Sequence, residues 1–341
     1  SKPTPKMINE YPYNQPPKHS TRSGMETIES YLSRFYQRPA LVLASARAGY
    51  YQALKFFGLT RRDHVLVPDF LCQAILNITN VSGFPVKQVD EKTKAVLVFH
   101  QWGYPQKMDE VLAEASRRNL IVIEDCAHSF GSKYKGRLVG TFGQAAFFSF
   151  AKLFPTYLGG VLVSDNAQFI EFAKKERAQK DNFSNRLFNF VAGRIAEKSF
   201  DQAKARFWLD IVYLKSIHYP NLSSKYLGYL PANQAEFEGD QRARKQNYLT
   251  LKNSIKKEYL IAEREEEIDP IPFLMPVFLP EEKLAPAREA LSGKNIFADI
   301  LHFDINRNVF ASNYKKCLAA PCHQGLGNTE INNIVDVVNR I

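Results

Sequence analysis

Between Ala40 and Asp165 two kinds of segment alternate. Short apolar runs rich in Val, Leu, Ile and Phe stand at LVLAS (41–45), HVLVP (64–68), FPVKQVD (84–90), KAVLVFH (94–100), LIVIED (120–125), QAAFFSF (144–150) and GGVLVS (159–164). Between them lie stretches with helical periodicity: AGYYQALKFFGL (48–59), CQAILNITNVSG (72–83) and MDEVLAEASRRN (108–119), with a turn-like YKGR at 134–137. Continuous apolar strands separated by helices predict a mostly parallel sheet covered on both faces, an α/β fold. Ligands of such a sheet sit at the carboxyl ends of its strands. Residues 167–260 change character and become helical, aromatic and basic. After Asp269-Pro270, IPFLMPVFL (271–279) reads as a strand and TEINNIVDVVNRI (329–341) as a closing helix. The organisation expected is an extended proline-bearing arm at 1–21, a large α/β domain at 22–247 that includes the basic helical segment 167–247, and a small C-terminal α+β domain at 248–341.

Composition narrows the function classes. A chain of 341 residues with 45% hydrophobic residues is neither disordered nor short of core material. Its apolar runs are far shorter than the roughly 20 residues of a membrane span. No secretory signal is visible, and a first residue of Ser1 rather than Met reads as a trimmed start. Cys72, Cys126, Cys317 and Cys322 show neither CxxC pairing nor metal-ligand spacing, which predicts reduced thiols, a cytoplasmic location and no metal. The 45 Lys+Arg against 35 Asp+Glu leave a net charge of +10, suited to an anionic small molecule, an anionic membrane or nucleic acid. Nucleic acid is not expected, because no recognised binding module accompanies the charge.

No GxGxxG or GxxxxGK[ST] motif follows a strand, so a dinucleotide or P-loop site is not expected. The chemistry points instead to Asp125, which closes LIVIED, to His128 three residues on, and to Lys152. A lone Asp at a strand end commonly caps the next segment. Most lysines are solvated. Lys152, however, stands in the apolar FFSFAKLFPTYLGG, where burial or a cleft would favour the neutral amine and a Schiff-base role.

These residues lie within segments that resemble the DegT/DnrJ/StrS-type sugar aminotransferases: ALVLASARAGYYQAL, VLVPDFLCQAI, VFHQWGYPQKMDEV, VIEDCAHSFGSKYKGRLVGTFGQAAFFSFAK and APCHQGLG. The resemblance covers about residues 25–165 and the last 25, and it implies the PLP-dependent transferase fold (fold type I). It implies that Lys152 is the Schiff-base and proton-shuttling lysine. Asp125 would hold the pyridine nitrogen of pyridoxal 5'-phosphate (PLP) protonated. His128 would meet the cofactor's phenolic oxygen. Ser149 would contact the phosphate, and so would Arg47 and Ala48 at a helix start. Cys72 takes the place of the aromatic that usually stacks on the ring, leaving Phe70, Trp102 or no residue to stack. The spacing from Ser149 to Lys152 is two residues shorter than usual, which reads as a deletion in the turn, and the nearest match to a family Asn-x-Arg motif is Asn185-Arg186.

The activity so implied is transfer of an amino group from an amino acid such as glutamate to a keto-sugar, nucleotide-linked, in amino-sugar or surface polysaccharide biosynthesis, by a homodimer. A deoxysugar dehydratase on the same fold is the alternative enzyme reading, although those relatives replace the lysine by histidine. A non-catalytic PLP-fold regulatory protein is the alternative of another class. In the basic segment, Phe183, Leu187, Phe188, Val191 and Ile195, then Phe200, Ala203, Phe207, Ile211 and Leu214, recur at helical steps. They predict packing on the large domain or across a dimer. A peripheral contact with an anionic membrane is the alternative. His100 and His323 read as ordering residues and Trp102 as core.

Overall fold

The computed structural model describes residues 24–341 except 155, 157, 181, 200–210, 213, 223–226, 228–229, 232 and 262–266. The arm at 1–21 and the second half of the basic helical pattern, Phe200 to Phe207, lie outside the described residues.

A helix that the apolar runs did not announce, α1 (Met25–Tyr36), precedes the sheet. The apolar runs themselves become β1 (Ala40–Leu43), β2 (His64–Leu66), β3 (Phe84–Val86), β4 (Thr93–Phe99), β5 (Ile121–Asp125), β8 (Ala145–Ser149) and β9 (Gly160–Val163) of one seven-stranded sheet. Its order is β1-β9-β8-β5-β4-β2-β3. β3, β2, β4, β5 and β8 are parallel neighbours, whereas β9 runs antiparallel to both β8 and β1. The parallel strands are joined by α2 (Ala46–Phe56), α3 (Gln73–Ser82) and α4 (Met108–Arg117), and YKGR turns the small hairpin of β6 (Lys133–Tyr134) and β7 (Arg137–Leu138). That turn uses left-handed backbone at Lys135 and Gly136 (φ 46° and 78°).

Strand side chains alternate between the two faces of the sheet, as the period of two requires, and feed three cores. Leu41, Leu43, Ala95, Leu97, Phe147 and Leu162 face a layer of α2, α3 and α5 (Ala167–Gln179), with Tyr50, Leu54, Ile78 and Phe169 buried in it. Val42, Phe148, Val161 and Val163 face α1, joined by Phe130, Ala192 and Phe237. Val96 and Val98 face α4 and the C-terminal elements, with Met108, Val277 and Ile334.

The C-terminal part is an antiparallel sheet, β11-β13-β12 (Leu274–Val277, Tyr314–Pro321, Asp299–Asp304), flanked by two helices that close the chain. The boundary expected at 247/248 falls inside one continuous helix, α7 (Gln234–Ser254), which follows α6 (Phe183–Ser199) among the labelled helices. After α7 come β10 (Ile268–Asp269), which pairs with β6, then α8 (Glu281–Ser292) and α9 (Asn328–Arg340). Among the described residues no helix is long and apolar enough to cross a membrane.

The close approach of α2 to β9 fixes one position chemically. A Cβ on Gly160 would lie 2.2 Å from the Ala46 nitrogen and 2.4 Å from the Ser45 carbonyl carbon, so backbone would have to move. Gly160→Ala is therefore expected to cost about 2–3 kcal/mol, within the range for overpacking, and to lower the midpoint of a urea melt. A midpoint equal to wild type would show that the α2 start is not held against β9.

Candidate active site

The site forms where the parallel strands end. β5 delivers Asp125, and the loop after it carries His128. β8 delivers Ser149, and the three-residue 3-10 turn Phe150–Lys152 follows directly. Beyond the end of β2, Cys72 stands as N-cap of α3. Beyond β1, Ser45 caps α2 by accepting from the Ala48 N–H at 3.1 Å, leaving the first turn with Arg47 and Ala48 at the cleft. The Gly159-Gly160 pair locks this helix start to the lysine turn: Phe150 N–H donates to Gly159 O, Gly159 N–H donates to Ala44 O, and Ser45 bridges Gly159.

The electrostatics show that these groups share one space. The Cys72 thiol is raised, first by desolvation and further by Asp125, while Arg47 and Lys152 oppose the rise. The His128 imidazole is held well below the usual histidine range by burial, and the charges of Lys152 and Arg244 add to this. His128 is therefore neutral, and its buried Nδ1 has no partner among the described residues. Its ring stacks on Phe273 at 4.6 Å and meets Phe99 edge-on at 5.4 Å, and the Lys152 ammonium lies 5.6 Å from the centre of the same Phe273 ring.

Glu124 and Asp125 are adjacent carboxyls on opposite faces of β5, and their environments separate them. Burial would push Glu124 up, but hydrogen bonds outweigh it: His100 Nε2 at 3.0 Å and the N–H groups of Gly140, Phe142 and Gly143 at 2.6–2.7 Å hold it ionised, below the ordinary range. His100 Nδ1 accepts from the Gln106 N–H at 3.1 Å, so His100 is a strand-end hydrogen-bonding residue. With Cys126 these two residues cluster closely enough to suggest a metal, but their polar atoms are already engaged by this network. Asp125 receives only the Ala127 N–H, at 3.0 Å, and burial raises its carboxyl to about 7. It is a nearly dry acid in want of a cationic partner.

Several expectations change. Of the two placements expected for Lys152, burial or a cleft, burial is excluded: the residue is exposed, at the end of the 3-10 turn that follows β8. The candidates for a stacking ring are engaged elsewhere: Phe70 stacks on His302 at 4.2 Å and is 46% exposed, and Trp102 is buried against Phe303. The aromatic ring beside Lys152 is Phe273, which the sequence did not single out because it lies 145 positions beyond His128. Arg47 directs its Nε at Ser216 Oγ, 3.4 Å away. His323 does order the chain before α9, accepting from the Gly325 N–H at 3.2 Å.

A buried carboxyl raised to about 7, a neutral imidazole whose Nδ1 has no partner among the described residues, an exposed amine and a helix N-terminus bearing Arg47 make a donor set that fits pyridoxal 5'-phosphate. Residues 86–185 match the model of the DegT/DnrJ/EryC1/StrS aminotransferase family. It is 34% identical over 147 residues to the GDP-perosamine synthase of Escherichia coli O157:H7, a match covering 37% of this chain and 40% of that protein. The sequence match thus spans about two fifths of the relative's length. In fold the likeness is nearly complete. PseC of Helicobacter pylori, an aminotransferase involved in the biosynthesis of pseudoaminic acid, superposes with a TM-score of 0.67 at 17% identity over 93% of this chain and 91% of that one. The PLP form of Spr1654 of Streptococcus pneumoniae superposes with a TM-score of 0.69 at 17% identity over 94% and 91%.

Proposed function

We propose that the chain is a PLP-dependent aminotransferase that takes an amino group from an amino acid, with glutamate as donor, and delivers it to a nucleotide-linked keto-sugar. The observation that carries this reading is the meeting of Lys152, Asp125 and His128 at the carboxyl ends of adjacent strands beside the α2 N-terminus. The E. coli GDP-perosamine synthase and PseC, an aminotransferase involved in the biosynthesis of pseudoaminic acid, support this reading.

When bound, the cofactor supplies an electron sink for the bond-breaking at the donor carbon. Everything else falls to this chain. Arg47 and the Ser149 hydroxyl would hold the phosphate, the helix start adding its partial positive charge, while the Ala48 N–H is taken up by the Ser45 cap. Asp125, once faced by a protonated ring nitrogen, gives up its own proton and keeps that one in place. Neutral His128 offers Nδ1 to the phenolic oxygen. Lys152, exposed beside His128 and Phe273, would hold the cofactor covalently and, once displaced by the donor amine, would move the proton between the substrate carbon and the cofactor's aldehyde carbon. The rings of Phe99 and Phe273 wall the site against water.

The test is direct. Purified protein loaded with PLP and glutamate is offered a panel of nucleotide-linked keto-sugars, and release of the oxo-acid is followed together with the aminated sugar by mass spectrometry. Protein that takes up no PLP, or that aminates no member of the panel, overturns the proposal.

The homodimer belongs to the same reading. α6 turns Asn185 and Asn189 inward, both donating to Asn221 O at 2.8–2.9 Å, and leaves Phe183, Leu187, Phe190 and Val191 exposed. A helix with its amides inside and its apolar residues outside awaits a covering surface. Leu187→Glu combined with Phe190→Glu is expected to halve the sedimenting mass. An unchanged mass, or loss of binding to anionic vesicles instead, would assign that face to another partner. The cysteines are free thiols, with Cys126, Cys317 and Cys322 buried, which agrees with a cytoplasmic enzyme.

A further inference from the structure

Arg244, on α7, is among the largest fully buried side chains and is 2% exposed. Its guanidinium donates to Gln324 Oε1 twice, from Nε at 3.0 Å and from Nη2 at 2.7 Å. Gln324 Nε2 in turn donates to Leu153 O at 2.8 Å, and Arg244 Nη2 reaches the same carbonyl at 3.4 Å. Leu153 directly follows Lys152. Three segments far apart in sequence, namely α7, the loop between β13 and α9, and the turn after β8, thus meet on one carbonyl.

The turn needs such support. Its own closures are two bonds to a single acceptor, Leu153 N–H and Phe154 N–H to Phe150 O at 2.9 and 2.8 Å. A single 3-10 turn has poor hydrogen-bond geometry and little cooperativity. A glutamine amide can in principle face either way, donor or acceptor end toward a carbonyl. A guanidinium removes that freedom, because it has only donors and can pair only with the oxygen. With Oε1 captured by Arg244, the Gln324 NH₂ has to point at Leu153 O.

We propose that Arg244 and Gln324 form a clamp that positions Lys152: Arg244 fixes the orientation of the Gln324 amide, and the amide holds the backbone of the lysine turn. Arg244 is a positioning residue, acting through Gln324 and Leu153. The proposal rests on the assignment of Lys152 as the residue that binds PLP covalently. The clamp also ties the lysine turn to the C-terminal part of the chain, so displacement of the β13–α9 loop would be felt at the nucleophile.

The experiment compares full-length wild type, Arg244→Met, Gln324→Leu and the double variant. Two quantities are read: hydrogen exchange of the 150–154 segment without cofactor, and the rate at which borohydride fixes PLP on Lys152, located by peptide mapping. Each single variant is expected to speed exchange and to slow fixation by about tenfold, with the double no worse than either single, as for residues acting as one unit. Unchanged exchange and fixation in Gln324→Leu, even with a lowered melting temperature, would reduce the pair to packing and overturn the clamp. Additive losses in the double variant would overturn it too. If wild type fixes no PLP on Lys152, the assignment of Lys152 fails, while the exchange data still judge the clamp. Should Arg244→Met not fold, Arg244→Lys, which keeps the charge and loses the fork, takes its place.

Discussion

Lys152→Ala is expected to abolish transamination, by at least about 10⁴-fold, because the variant loses nucleophile and proton carrier in one side chain. No neighbour can substitute. His128 is held neutral and is walled by Phe99 and Phe273, and the Cys72 thiol is raised, which keeps it a poor nucleophile at neutral pH. Since Lys152 is exposed in the cleft, its removal leaves no cavity, and the melting temperature should stay within a degree or two of wild type. The variant should still bind PLP through the α2 start and Asp125, yet borohydride should fix none of it to protein. Mass spectrometry of the reduced protein decides the matter, and retained activity would remove Lys152 from the chemistry.

Asp125→Asn is expected to act in opposite directions on the cofactor-free and the loaded protein. Without cofactor the Asp125 carboxyl titrates at about 7, against 3.8 when exposed to water. Between those values the folded chain binds a proton that the unfolded chain does not, so stability falls as pH rises from about 4 to about 7 and stays lost above it. Asparagine cannot ionise and escapes this loss. The variant should match wild type near pH 4 and exceed it at pH 8, by about 2 kcal/mol against an upper bound of about 4 for a shift of three units. With PLP the sign reverses, because an amide cannot hold the ring nitrogen's proton. PLP affinity should drop by about a hundredfold or more, as for loss of a buried charge pair. Urea melts at the two pH values and a PLP titration test both halves. Equal stability at pH 8 would mean that Asp125 is better solvated than its surroundings indicate.

Much of this molecule was legible in the sequence wherever local patterns decide structure. Continuous apolar runs marked the strands of the large sheet, and YKGR marked the separate β6–β7 hairpin, because burial on two faces and left-handed turns leave direct marks on composition. Asp125 and Lys152 could be named because each stands at or just past a strand end, with His128 close by, whereas Ser149 and the role of His128 came with the family resemblance. What escaped notice depends on contacts between distant segments. The antiparallel direction of β9 has no signature in GGVLVS, since a strand buried on both faces reads alike in either direction. Phe273, Arg244 and Gln324 reach the site from the last third of the chain, where the only sequence signal was APCHQGLG. The expected boundary at 247/248 rested on a change of composition, and the helix running through it ignores that change.

The reversed strand has a consequence for the order in which the protein is made. β8 and β9 are joined by the lysine turn itself and can pair as soon as both have left the ribosome. β1, by contrast, is an edge strand whose sole partner in the sheet is β9, with Ala40 paired to Val163 across more than a hundred residues of intervening chain. Closing so long a loop is slow relative to local pairing. β1 and the α2 start that follows it therefore reach their place in the sheet only after β9 has been made, when nearly half of the chain has been synthesised. A nascent chain can carry Lys152 before the α2 start is docked beside it.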